Sequence, residues 1–175
     1  KVLCMERIGG IQIDDTVGLA REGYDLSEIA QKLVAGYAKQ VLEDGYFHAD
    51  PHPGNLRIRD GKIVWLDLGM IGTLSAQDRS LMKKAMTAVA VGDVYELKQA
   101  ILAISRHTGS VNHSRLAEDI EEMLTKYGTA ELKSLNVGQM FADLLAIAES
   151  NGLSMPAGIS MLGRGMLTLE GVGSR

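Results

Sequence analysis

Two prolines decide what the middle of this 175-residue chain can become. In His48-Ala49-Asp50-Pro51-His52-Pro53-Gly54-Asn55, Pro51 and Pro53 lack backbone donors and hold φ fixed, so the segment is neither a regular helix nor a central strand. The residue before a proline is driven toward extended backbone as well, which holds Asp50 in a set orientation. The segment therefore reads as a rigid loop. The next stretch is equally constrained. Leu56 to Arg59 and Lys62 to Asp67 are short strand-like runs, and Asp60-Gly61 between them is a two-residue hairpin signal. The hairpin turns Leu66-Asp67-Leu68-Gly69 back toward Asn55.

The flanks are helical. Asp25 reads as an N-cap with Glu28 as its capping-box partner, and Leu26, Ile29, Ala30, Leu33, Val34, Tyr37 and Val41 follow at helical spacing. Gly45 is placed to end this helix just before the proline loop. Ser75 caps a helix to about Val91, and Asp93 caps another to about Ser105. Residues 113–127 carry Leu116, Ile120, Met123 and Leu124 on one face, with Glu118, Asp119, Glu121 and Glu122 elsewhere. Residues 137–149 and 156–170 give two more helices, Pro156 suiting a first turn. The expected fold class is mainly α (α+β), with a small β-hairpin at the functional edge. The opening Lys1-Val2-Leu3-Cys4-Met5 reads as a buried strand that needs a neighbour to pair with, and Gly9-Gly10 as a flexible break. That start implies a fragment of a longer protein.

Composition narrows the function classes. Hydrophobic residues are 46% and charged residues 23%, as in folded globular proteins. A net charge of -4 offers no general attraction to nucleic acid or anionic lipid. The one cysteine, Cys4, cannot form an intrachain disulfide and suits a reducing compartment. No secretory leader is evident, and no apolar run approaches the roughly 18 residues that span a bilayer. The expectation is a soluble chain from an intracellular protein. The nine methionines fall largely at helical spacing and read as core filling.

The candidate chemistry lies in the loop and hairpin. Asp50 is placed to orient or deprotonate an attacking hydroxyl or water. Asn55 offers a neutral oxygen and Asp67 a charged one. Magnesium takes a few hard protein oxygens together with phosphate oxygens and water, and this set supplies them. Each part alone has an ordinary structural reading, because Asp and Asn beside Pro and Gly are common turn formers. His52 alone fits a loop-packing role, and His48 a loop-holding one. A second reading stays open. His48, Asp50 and His52 alternate, and an extended strand would aim them at one zinc or iron ion, as in a metal-dependent hydrolase. The prolines disfavour such a strand, and His107 and His113 lie among solvated residues.

These residues resemble a known pattern. Asp50, four residues, Asn55, then Asp67-x-Gly69 is similar to the protein-kinase catalytic loop and its metal-binding Asp-Phe-Gly. The string His48–Asn55 with Leu66-Asp67-Leu68-Gly69-Met70 closely resembles the UbiB/ADCK family of atypical protein-kinase-like proteins. Val2–Gly10 looks like a last N-lobe strand and hinge, and Leu169-Glu170-Gly171 also resembles that family. The resemblance implies that residues 1–10 are strand and hinge and 11–175 a kinase-like C-lobe, with catalytic loop 46–55, metal-binding segment 67–69 and helical region 75–171. It implies ATP and Mg2+ as cofactors, Asp50 as catalytic acid/base, and Asn55 and Asp67 as metal ligands. His52 falls where ordinary kinases carry a phosphate-contacting lysine. Glu6 and Ile8 fall where hinge backbone binds adenine.

The departures matter as well. Ala49 stands where ordinary kinases have the arginine that senses a phosphorylated activation loop, so control of that kind is not expected. Leu68 replaces phenylalanine. Only Met70 to Leu74 separates the Asp-Leu-Gly from the next helix, which leaves no room for a peptide-docking platform. The implied substrate is a small or lipid-like molecule, or ATP hydrolysis itself, in or near ubiquinone (isoprenoid quinone) biosynthesis and its proteins. Phosphoryl transfer needs charge neutralisation from both sides of the nucleotide. The nucleotide loop, strand lysine, helix glutamate and Lys-x-Gly-Gln segment of the family are not in the chain, so it is expected to be nearly inactive alone. Family members are tied to membranes of bacteria, mitochondria or plastids, which implies membrane association through segments outside this chain. A non-catalytic nucleotide-binding regulatory module is the remaining alternative.

Overall fold

A computed structural model describes residues 2, 4–107, 109–128 and 136–173. Helices dominate, and three small antiparallel sheets are set among them. The first strand, β1, is Ile11–Gln12. A short helix α1, Thr16–Arg21, follows and is capped by the Asp15 carboxylate on Gly18 N. Helix α2 spans Leu26–Lys39, with the Asp25 carboxylate accepting from Ser27 N and Glu28 N. Ile29, Leu33 and Tyr37 are its buried face, continued by Val41 just beyond it, whereas Leu26, Ala30 and Val34 are exposed. The apolar stripe is thus narrower than the spacing suggested.

After Lys39 the helix widens into a π-turn, Gln40–Asp44, and stops at Gly45 in the left-handed region, φ 71°. A π-turn inserts a residue into the helical ladder and redirects the side chains after it. Strand β2, Tyr46–His48, leaves from that glycine. The proline loop closes with one 3-10 turn, Pro53–Asn55. Strands β3, Leu56–Arg59, and β4, Lys62–Trp65, then form the hairpin, with Arg59 opposite Lys62. Asp60 and Gly61 have φ 52° and 69°, the left-handed pair that a twisted two-residue hairpin turn requires. Strand β1 pairs with β3, Ile11 opposite Ile58. Strand β5, Ile71–Thr73, pairs with β2, His48 opposite Ile71.

The expected opening strand does not form. Among the described residues no strand precedes Ile11, and Val2 and Met5 are 98% and 72% exposed. The place beside β3 is taken by β1, and residues 2 and 4–7 join no ladder. Lys1 and Leu3 lie outside the described residues.

The helical part follows the caps closely. Helix α3 is Ala76–Val91, with a reciprocal box between Ser75 and Asp78, and α4 is Val94–Ile104, capped by Asp93. Helices α5, His113–Gly128, α6, Val137–Ser150, and α7, Ala157–Gly173, complete the order. Between them, β6, Arg106–His107, pairs with β7, Leu153–Ser154. Apolar side chains gather in three clusters. One joins α2, β2, α3 and α7 through Tyr37, Val41, Phe47, Ala49, Leu74, Met82, Ile159 and Leu162. A second fills the α3–α6 region around Leu97, Leu116 and Ile120. The third lies under the hairpin, around Leu19, Ile29, Leu33, Leu56 and Ile58. Trp65 packs against both the first and the third.

Candidate functional site

The loop is held from four directions at His48, which is 2% exposed. Its Nε2 lies 2.8 Å from the Leu66 carbonyl, and its Nδ1 is 3.3 Å from the Asp50 amide. A carbonyl only accepts and an amide N–H only donates, so the ring carries its proton on Nε2. The His48 amide donates to Gln40 Oε1 at 3.0 Å, and its carbonyl accepts from the Tyr37 hydroxyl at 3.1 Å. Burial pushes the Tyr37 phenol well above its ordinary range, so the hydroxyl remains a donor. Tyr37 is itself fixed by stacking on Trp65 at 6.0 Å and by an edge contact with Phe47 at 6.3 Å.

Asp50 and Asn55 then sit on the stiff segment. Asn55 is buried; its Nδ2 donates to the Asp50 carbonyl at 3.1 Å, which leaves Oδ1 as its acceptor end. His52 Nδ1 accepts from Gly54 N at 3.1 Å and thereby caps the 3-10 turn. Its Nε2 is 3.8 Å from Asp50 Oδ2, and both side chains are about half exposed. At that distance and exposure the pair adds little stability, and the Asp50 carboxylate is open to a ligand.

Asp67 arrives where the hairpin was expected to bring it. Leu66 N donates to the Asn55 carbonyl at 2.8 Å on one side, and Ala49 N to the Met70 carbonyl at 3.0 Å on the other. Between these two ties Asp67 adopts φ 52°, left-handed for a side-chain-bearing residue. Its Oδ1 accepts from Gly69 N at 3.3 Å. Such a conformation costs on the order of 1 kcal/mol and persists where neighbouring structure imposes it, as at ligand-holding turns. The result is two carboxylates and one amide oxygen carried by two adjoining turns, a donor set that fits magnesium with its remaining positions left to phosphate and water.

Glu6 lies against the hairpin. The Glu6 carboxylate pairs with Arg59 Nη1 at 3.1 Å, and the Gly10 carbonyl accepts from Arg57 at 3.0 Å. The hinge-like segment is therefore laid along β3, the strand that leaves Asn55, with Ile8 half-buried. The His48-Asp50-His52 metal centre does not form. Both ring nitrogens of His48 are engaged, and among the described residues no group of three or more His, Cys, Asp and Glu is arranged to hold a metal. Sequence reasoning missed Gln40 and Tyr37. Tyr37 showed only as part of an apolar stripe, and Gln40 is brought to β2 by a π-turn that has no sequence signal of its own.

Residues 1–101 match the ABC1 atypical kinase-like domain. The chain belongs to that family. Residues 120–175 match the UbiB helical domain, so α6 and α7 fall in a second matched region. Among its relatives, an uncharacterized protein in the hydrogenase 1 5' region of Clostridium pasteurianum is 39% identical over 100% of this chain and 33% of its own length. Protein ACTIVITY OF BC1 COMPLEX KINASE 7, chloroplastic, of Arabidopsis thaliana is 30% identical over 99% of this chain and 25% of its own. The probable protein kinase UbiB of Azotobacter vinelandii is 27% identical over 99% of this chain and 33% of its own. The chain thus spans a third or less of the length of these relatives. Within the ABC1 family match lie the proline loop, the hairpin and Asp67.

Proposed function

We propose that this chain carries the metal-holding half of an ATP site in an atypical kinase or ATPase that acts in, or regulates, isoprenoid quinone biosynthesis. The observation that carries the reading is the pair of backbone ties, Leu66 N to Asn55 O and Ala49 N to Met70 O, that bring Asp67 beside the Asp50–Asn55 loop. Asn55 and Asp67 would hold magnesium, and the bound ion would neutralise charge on the nucleotide phosphates. Asp50 orients the attacking hydroxyl or water and takes its proton; His52, beside it, faces the transferred phosphate. Backbone groups near Glu6 and Ile8 meet the adenine. The quinone assignment rests on the resemblance to UbiB proteins.

Strand β5 limits the substrate side. The short run after Gly69 is used up in pairing with β2, Tyr46 opposite Thr73, before α3 begins at Ala76. With no extended segment there to dock a peptide, a small or lipid-like acceptor, or water, is the fitting co-substrate. No helix among the described residues is long and apolar enough to cross a membrane. Any membrane association would come through other segments of the intact protein.

The test uses the intact protein. Asp67→Asn is expected to abolish magnesium-dependent ATP binding, read by calorimetry with and without the metal. Unchanged affinity in magnesium would remove Asp67 as a ligand. Asp50→Asn is expected to lower turnover about 100-fold or more with little change in ATP affinity. Turnover at the parent's rate would instead favour a regulatory module that binds nucleotide without using Asp50.

A further inference from the structure

Helix α7 packs against the back of the catalytic loop. Gly165 is buried, and a Cβ added there would collide with the Tyr37 hydroxyl and come within 3.7 Å of the Ala49 carbonyl. The same hydroxyl donates to the His48 carbonyl. Ile159 and Leu162 of α7 share a cluster with Tyr37, Phe47 and Ala49. The contact also joins the two matched regions, since Tyr37 lies in the kinase-like one and Gly165 in the helical one.

We propose that Gly165 is a positioning residue for the catalytic loop: its missing side chain lets Tyr37 grip His48, and α7 thereby sets where Asp50 stands against the Asp67 turn. The proposal rests on the nucleotide reading for its effect on turnover, though not for the contact itself. Ala49, buried beside this contact, lies in the same cluster as Ile159 and Leu162.

A four-way comparison decides it in the intact protein: parent, Tyr37→Phe, Gly165→Ala and the double variant. Melting temperature, magnesium-ATP turnover and affinity, and amide exchange at Ala49 and Asp50 are measured for each. Tyr37→Phe is expected to speed exchange at those amides about tenfold. It should lower turnover by roughly tenfold to a hundredfold while leaving ATP affinity nearly unchanged, as a displaced catalytic group does. Gly165→Ala should lower melting temperature as well. Adding Tyr37→Phe to it should restore melting to the Tyr37→Phe value, because the colliding oxygen is gone, while turnover stays at the Tyr37→Phe level. Unaltered exchange in Tyr37→Phe would overturn the proposal, as would Gly165→Ala being equally damaging with Tyr or Phe at position 37. If Gly165→Ala alone fails to fold, the double variant and Tyr37→Phe still decide. If the parent binds no magnesium-ATP, the nucleotide reading falls and the exchange rates alone judge the contact.

Discussion

At residue 48 an imidazole bridges the two turns that carry the candidate site, accepting from the Asp50 amide and donating to the Leu66 carbonyl. Replacing it with an apolar group of similar size leaves the Leu66 carbonyl without its partner in a partly buried place. An unsatisfied buried group costs about 1–3 kcal/mol. His48→Leu is therefore expected to lower unfolding stability by about that amount in denaturant titrations. A loss below a few tenths would show that the bridge is not structural. The loop-holding role of His48 was legible from the sequence, as was the placing of Asp50, Asn55 and Asp67 on adjoining turns, because proline chemistry and hairpin geometry act over a few residues. Their supports were not legible. Gln40 and Tyr37 reach His48 only because a π-turn and a helix packing angle place them there.

At the scale of elements, the Asp143 carboxylate ties α6 to α5. Asp143 accepts from Lys126 at 2.8 Å, from the Tyr127 hydroxyl at 2.7 Å and from Gln139 at 2.8 Å. The Lys126, Tyr127 and Gln139 hydrogen bonds, in that order, hold its carboxyl down to about 2 from 3.8. A carboxyl depressed on folding stabilises the native state above its unfolded pKa, and that gain is lost as pH falls through the folded one. Asp143→Asn should thus be less stable than the parent at neutral pH, with the gap narrowing as pH drops from about 4 toward 2. Denaturant midpoints across that range check it, and a constant gap would refute it. The helices themselves were readable because Asp25, Ser75 and Asp93 cap them by bonds to amides two or three residues on. Strands β6 and β7 were not, since two residues carry no period and their partner lies on a distant segment.

For the whole molecule, three clusters among the described residues divide the labour, and two of them border the loop. Leu116 is fully buried in the α3–α6 cluster, away from the loop residues; Leu162, 1% exposed, shares its cluster with Phe47 and Ala49. Truncating either to alanine should cost about 2–5 kcal/mol. Amide exchange at Ala49 and Asp50 should separate them, rising below the global unfolding limit in Leu162→Ala and not in Leu116→Ala. Equal local exchange in both would mean that the clusters do not act separately.

The sequence by itself determined which segments coil into helices, where the chain is too stiff to do so, and which three oxygen-bearing side chains a short loop and hairpin can carry. Those properties stem from propensity, capping and proline geometry, which are local. It misled at the opening residues, where an apolar run reads as a strand although no ladder takes it up, and at α2, where the apolar stripe is wider than the buried face. Tertiary structure decided what holds the site in place: the carbonyl that His48 meets 18 residues away, the strand that takes the edge of β3, and the α7 glycine against Tyr37. Those depend on which surfaces meet when the clusters close, and a surface exists only after the chain has folded.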